Sequence, residues 1–245
     1  MDKMLYVAMS GAKETLRAQT ANSHNLANAS TNGFRADLSA FQSRAVTGSG
    51  FASRVYAQNT TTGWDASVGA QMFTGRELDV AVQGDGFIAV QARDGREAYT
   101  RAGDLMIDAN GQLMTKTGLP VLGDGGPVSV PPNNSLAIAP DGTISIVPQG
   151  QGPETTASIG RIKMVNPGND QLDRGEDGLF RMKDGSDAPA DANAKLASGA
   201  LEASNVNAAQ AMVNMIELAR NFELQVKAIK TAEDNGAASS QLLRS

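Results

Sequence analysis

A chain of 245 residues has room for one large domain or two modest ones, and an aromatic content of only 4% argues against a single large aromatic core. The formal charge of -5, from 21 basic and 26 acidic residues, supplies no basic stripe for a phosphate backbone, which sets nucleic acid aside as a partner. The absence of cysteine excludes a disulfide framework and a thiolate metal site, and no apolar run approaches the roughly 20 residues of a membrane span.

The first predicted element is a helix. Leu5, Met9, Ala12, Leu16, Gln19, Ser23 and Leu26 recur at alternating steps of four and three, with Asp2 as a cap and Asn32-Gly33 as a stop. Met1 to Gly11 lacks the basic leader and clean apolar stretch of a cleaved export signal. Residues 28–63 are rich in Ser, Thr, Asn, Ala and Gly, with a break at Gly48-Ser49-Gly50. They read as an extended, partly ordered connector containing one short strand at Arg54-Val55-Tyr56-Ala57.

From Leu78 the pattern changes to period two with turn punctuation. Leu78-Asp79-Val80-Ala81-Val82 runs into Gly84-Asp85-Gly86, and Phe87-Ile88-Ala89-Val90-Gln91 runs into Asp94-Gly95, a hairpin dipeptide. Further turn signals stand at Asn110-Gly111, Asp124-Gly125-Gly126, Asp141-Gly142, Asp177-Gly178 and Asp184-Gly185. Between them lie apolar runs at 105–107, 120–122, 136–138, 143–147 and 161–165. Short strands at this spacing predict an all-β domain of antiparallel hairpins. Residues 148–156 read as an exposed loop, and 187–197 as the path back to a terminal helix.

That helix is predicted from Asn207 to about Glu233, a rod of about 40 Å. Met212, Met215, Ala219, Phe222, Val226 and Ile229 form one stripe, with Gln225 off it. Asn207 and Gln210 have the spacing of a capping box, and Asn235-Gly236 marks the stop. Each terminal strip needs a helical partner, and each finds one in the other. The fold class is therefore α+β: the N- and C-terminal helices pair as an inner coiled-coil layer around which a central antiparallel all-β domain is built. The expected parts are helix 1–32, connector 33–77, β domain 78–199 and helix 200–245. One stripe is too thin to carry a helix of this length, so both terminal helices are expected to be largely unfolded in the monomer and to order only on assembly. A fragment Leu78–Ala197 is expected to fold alone.

Chemistry finds little footing. His24, the one histidine, has no second His or Cys to complete a metal site. The Asp-Gly clusters lack the alternating ligands of a calcium loop and read as turns. No phosphate loop or nucleophile elbow is present, and Glu176-Asp177 sits in a turn. No cofactor is indicated.

Three motifs carry a family resemblance. Ser10-Gly11-Ala12 with Ala27-Asn28-Ala29-Ser30-Thr31-Asn32-Gly33-Phe34-Arg35 resembles the amino-terminal signature of flagellar basal-body rod and hook proteins. Gly199-Ala200-Leu201-Glu202-Ala203-Ser204-Asn205-Val206-Asn207, followed by Met212 to Ile216 and Arg220-Asn221-Phe222-Glu223, resembles their carboxy-terminal signature. The stretch from Leu78 to Phe87 and Tyr99-Thr100-Arg101-Ala102-Gly103 resemble the opening of the β domain these proteins share. Within the family, the first ten residues, the length and the stretch from Arg174 to Arg181 look like a rod member, with the distal-rod member as the rival. Ser23-His24 and Asn221 depart from the pattern, standing where relatives carry apolar or larger side chains.

The resemblance implies a non-enzymatic structural subunit of the rod, the shaft that crosses the periplasm and passes torque from motor to hook. Its partners would be other proximal and distal rod proteins and the flagellar export apparatus, with neither membrane insertion nor a cleaved signal. The assembly interface is then expected on Leu5, Met9, Ala12, Leu16 and Leu26 of the first helix, and on Met212, Met215, Ala219, Phe222, Val226 and Ile229 of the last. A competing reading, a secreted β-domain enzyme or carbohydrate-binding module with helical extensions, would need clustered acids or exposed aromatics in the β region. Trp64 lies outside that region's hairpins. A third, a soluble coiled-coil adaptor, would give a small closed oligomer in place of an axial tube.

Overall fold

In the computed structural model, residues 3–45, 55–152 and 154–242 are described. The chain begins with α1 (Lys3–Ala27), β1 (Asp37–Ala45), β2 (Val55–Trp64) and β3 (Gln71–Phe73). It continues through β4 (Val80–Gln83), β5 (Phe87–Gln91), β6 (Glu97–Thr100), β7 (Leu105–Ile107), β8 (Leu113–Thr115), β9 (Leu122–Gly123) and β10 (Gly126–Pro127). Then come β11 (Asn133–Ile138), β12 (Thr143–Pro148), β13 (Ala157–Arg161), β14 (Met164–Val165), β15 (Leu172–Arg174) and β16 (Phe180–Met182). The last elements are β17 (Lys195–Ser198), β18 (Ala200–Glu202) and α2 (Ala208–Leu242). The class is α+β: the two terminal helices pack on each other, and the described strand ladders of the central region are antiparallel.

Two compact units divide these elements. One contains α1, the β1–β2 hairpin and α2; the other is Ser30–Arg35 together with Asp65–Asn205.

In the helical unit, α1 stops at Ala27, short of Asn32-Gly33: the Asn28 side chain turns back to the His24 carbonyl at 2.9 Å, and the Ala29 amide bonds the Leu26 carbonyl, three residues back in place of four, at 3.2 Å. The Asp2 cap, Gly48-Ser49-Gly50 and Arg54 lie outside the described residues. Residues 37–64, expected as a connector with one short strand, include a long ribbon. β1 and β2 pair from Asp37↔Trp64 to Ala45↔Val55, with a shift between Leu38 and Ser39. Its side chains are mostly exposed, so Ser, Thr, Gln and Asn suffice and no period-two apolar signal is needed. The ribbon meets α1 through the Asn59 amide, which donates to the Glu14 carboxylate at 3.1 Å.

α2 starts where its cap predicts. The Gln210 amide donates to Asn207 Oδ1 at 3.1 Å, but the reciprocal half of the box is absent, since the Gln210 side chain turns to Asn214 Oδ1 at 2.9 Å. The expected stop at Asn235-Gly236 is overrun, and the helix continues to Leu242. Gly236 is not among the glycines with positive φ, and the alanines that follow it favour helix.

The β unit has its core around Ile88, Leu105, Leu113, Val121, Ile144 and Ile162, all fully buried. Its largest sheet runs β14-β5-β6-β16-β15, beside a three-stranded β11-β12-β13 sheet. The Asp94-Gly95 turn closes β5 on β6. The run 161–165 is split: Arg161 ends β13, and Met164–Val165 crosses to pair with β5. The return path carries β17, whose Leu196 is buried against the core while the strand pairs with β4. Ala200–Glu202, expected to open the terminal helix, is strand β18 paired with β3.

Candidate functional site

The helix pair is built on small residues. Ala8, Ala12, Thr15 and Ala18 of α1 are buried, as are Ala211 and Ala232 of α2. Asn22 Nδ2 donates to the Ala211 carbonyl at 2.7 Å, and Gly11 faces the Gln225 side chain, so the helices run antiparallel. Along α2 the packed line passes Ala211, Leu218, Gln225 and Ala232 at heptad spacing. The predicted stripe shares Met215, Ala219, Phe222 and Ile229 with the less exposed side of α2, whereas Met212 and Val226 each lie one position beyond its packed line.

The sequence-predicted residues therefore separate. Ala12 is buried; Leu5, Leu26, Met215, Ala219, Phe222 and Ile229 are half-buried. Met9, Leu16, Met212 and Val226 are 53, 47, 55 and 45% exposed. Gln225, read as off the stripe, lies on the packed face. A hydrophobicity rule finds large side chains, whereas close helix approach selects small ones. The 8-12-15-18 spacing of Ala and Thr was the available signal. His24 Nδ1 lies 2.6 Å from Asp37 Oδ2, and Asn25 holds both the amide and the carbonyl of Asp37, at 2.8 and 2.9 Å. This fixes the end of α1 to the start of β1.

In the β unit, the three motifs meet at a buried carboxylate. Glu202 Oε2 receives Arg101 at 2.7 Å, and Oε1 receives Arg35 Nη2 and the Gly69 amide, each at 3.0 Å. The three side chains are 1, 0 and 2% exposed, in the order Glu202, Arg101, Arg35. Arg101 also donates to the carbonyls of Gly86, Gly84 and Val82 at 2.6, 2.8 and 3.1 Å, so the Gly84-Asp85-Gly86 turn closes around its guanidinium. Arg35 Nη1 donates to the Ser67 carbonyl, while its buried Nε has no hydrogen-bond partner. Burial first, and the Arg101 charge second, hold the Arg35 guanidinium below its ordinary pKa. Arg174 covers this corner: its guanidinium lies 4.4 Å from the Phe34 ring centroid and donates to the Arg35 carbonyl at 2.7 Å.

Two glycines of these motifs are dictated by backbone approach. Gly33 has φ +68, and a Cβ there would lie 2.6 Å from the Ala102 nitrogen and nearer still to the Arg101 carbonyl. At Gly103 a Cβ would overlap the Val80 carbonyl. Glu202, Arg35 and Arg101 were not singled out from sequence. Their signal was a charge inside an otherwise small or apolar motif, as in Ala200-Leu201-Glu202-Ala203. The carboxylate is saturated with donors, which suits a fastening and not proton transfer. Among the described residues no acidic or histidine cluster could hold a metal, and no helix is long and apolar enough to cross a membrane.

Three family models match the chain: "Flagella basal body rod protein" at residues 5–35, "Flagellar hook protein FlgE/F/G D1 domain" at 81–146, and "Flagellar basal body rod FlgEFG protein C-terminal" at 197–242. The rod protein FlgF of Salmonella typhimurium is 43% identical over 249 residues, covering 99% of each chain. FlgF of Escherichia coli is 44% identical with the same coverage. The chain belongs to the flagellar basal-body rod proteins. Within this family it is FlgF-like: FlgG of Buchnera aphidicola is 33% identical over 268 residues, covering 94% of this chain and 97% of that protein. Arg35, Arg101 and Glu202 each fall in a different one of the three matched regions, so in this chain the three regions meet at this ion cluster, a clasp between them.

Proposed function

We propose that this chain is a subunit of the rod that crosses the periplasm, assembling axially through its terminal helices and passing torque from motor to hook. Its neighbours are other proximal-rod subunits and FlgG-like distal-rod subunits, and it reaches them through the flagellar export apparatus. The helices form a coiled-coil layer of the rod. The carrying observation is the outward edge of the helix pair. Met9 and Leu16 on α1, and Met212 and Val226 on α2, are large apolar side chains left about half exposed. The buried apolar side chains of the two helices are all alanines, which supports completion of the packing by neighbouring subunits. A contact of this kind that repeats without closing generates a helical tube. No residue carries out chemistry; the working surfaces are the helix faces, including Leu5, Ala12, Leu26, Met215, Ala219, Phe222 and Ile229.

The test replaces Met212 and Val226 together by Asp in the full chain. The β unit should melt as in wild type, while incorporation into basal bodies and motility are lost. Full motility of this variant would overturn the reading.

A further inference from the structure

Residues 199–205 fasten two other segments of the β unit at once. On one side β18 pairs with β3, Glu202 opposite Gln71, and the Ala203 amide donates to the Ala70 carbonyl at 2.8 Å. On the other, the Gly33 amide donates to the Glu202 carbonyl at 2.8 Å and the Asn205 amide to the Phe34 carbonyl at 3.2 Å. The Glu202 carboxylate spans both sides through Gly69 and Arg35, and anchors them to the core through Arg101.

The anchors are unequal. Arg101 keeps three backbone carbonyls besides Glu202, whereas Arg35 has the Ser67 carbonyl and a bare, buried Nε. Two buried cations face one buried carboxylate, so Arg35 is the member released first.

We propose that Glu202 is a closing key: segment 30–35, arm 65–73 and strap 199–205 fasten together or not at all. The stretch that follows α1 and the stretch that precedes α2 then order in one step, and by linkage whatever steadies one steadies the other. A chain whose residues 199–205 are not yet available keeps segment 30–35 and arm 65–73 loose, even with the apolar core of the unit already formed. This coupling resides within the β unit and stands whatever the helices dock onto.

The test is native-state hydrogen exchange on the full chain, comparing wild type with Glu202→Gln and Arg35→Met. Both substitutions should speed exchange at Gly33, Ala203 and Asn205 by about tenfold or more. The Leu113 and Val121 amides, which donate to the Val128 and Leu113 carbonyls in the core, should remain slower to exchange than these three in both variants. Ala203 in Arg35→Met is the decisive probe, because its bond to Ala70 involves neither Arg35 nor the segment carrying it. Acceleration confined to residues 33–35 in that variant would overturn the proposal, as would a wild-type Ala203 amide that exchanges no faster than those of Leu113 and Val121. If Glu202→Gln fails to fold, Arg35→Met decides alone.

Discussion

Gly11 of α1 lies against Gln225 of α2, close enough that a Cβ at position 11 would stand 2.9 Å from the Gln225 Cδ. The contact is made by the end of a flexible side chain, so Gly11→Ala should be tolerated. Gly11→Val adds bulk that the amide cannot escape, at a cost of about 1–3 kcal/mol to the helix pair. Incorporation into basal bodies should fall in Gly11→Val and return when Gln225→Ala is added, since the second change empties the space the first one fills. Independent effects of the two substitutions would show that the helices are not paired at this register in the rod.

The clasp changes what a minimal fragment must contain. A fragment of residues 78–197 retains Arg101 but lacks Glu202, Arg35 and both strands of the β3–β18 pair. Removing one partner of a buried ion pair costs about 3–5 kcal/mol, a large share of the stability of a domain this size. Thermal melting followed by circular dichroism should be cooperative for residues 30–205 and broad, or shifted well down, for 78–197. Equal melting temperatures would mean that the ion cluster contributes nothing to the fold.

Particular elements show what was legible. β5 is legible with its bounds because Gly84-Asp85-Gly86 and Asp94-Gly95 punctuate a continuous apolar run, Phe87 to Val90, that is buried throughout. The β1–β2 ribbon was illegible for the opposite reason: it buries little, and its composition matches that of a loop. Asn235-Gly236 has the local chemistry of a helix stop, yet the glycine stays helical. Alanine carries weak hydrophobic signal and yet decides where the two helices touch, so the packed line of α2 is not the line of its large apolar side chains. The role of Glu202 is not legible in its motif, since sequence spacing does not reveal that residues 35, 101 and 202 share one buried point.

Acid should weaken the β unit in a defined range. Hydrogen bonds from the backbone amides of Arg96, Gln112, Thr143 and Ser186 are the first cause holding Asp94, Asp108, Asp141 and Asp184 below the usual carboxylate pKa. For Asp177 the first cause is the Arg181 side chain. A depressed pKa means that the folded state binds the proton less readily than the unfolded chain does. The stabilisation is therefore present above the ordinary carboxylate value near pH 4 and is lost as pH falls through the lowered values. Urea midpoints should be level from about pH 7 to about pH 5 and fall below about pH 4. Asp141→Asn should reduce that fall, and a slope unchanged by it would remove Asp141 from the account.

Gly33 and Gly95 allow backbone strain to be separated from overlap. Both have positive φ, +68 and +82. A Cβ at Gly95 meets nothing within 4 Å, whereas one at Gly33 runs into the Arg101 carbonyl and the Ala102 nitrogen. Gly95→Ala should therefore cost only the left-handed conformation, about 1–2 kcal/mol. Gly33→Ala carries the same penalty and must also displace backbone that holds Arg101 in the clasp, with its own amide bonded to the Glu202 carbonyl at 2.8 Å. Its cost should exceed that of Gly95→Ala by about 2 kcal/mol or more, in the range reserved for overpacking and strain at a special backbone position. Urea unfolding of both variants at one pH measures the difference directly. Equal losses would mean that the Arg101–Ala102 backbone moves aside freely, and the Gly33 contact would then no longer explain why this position is glycine.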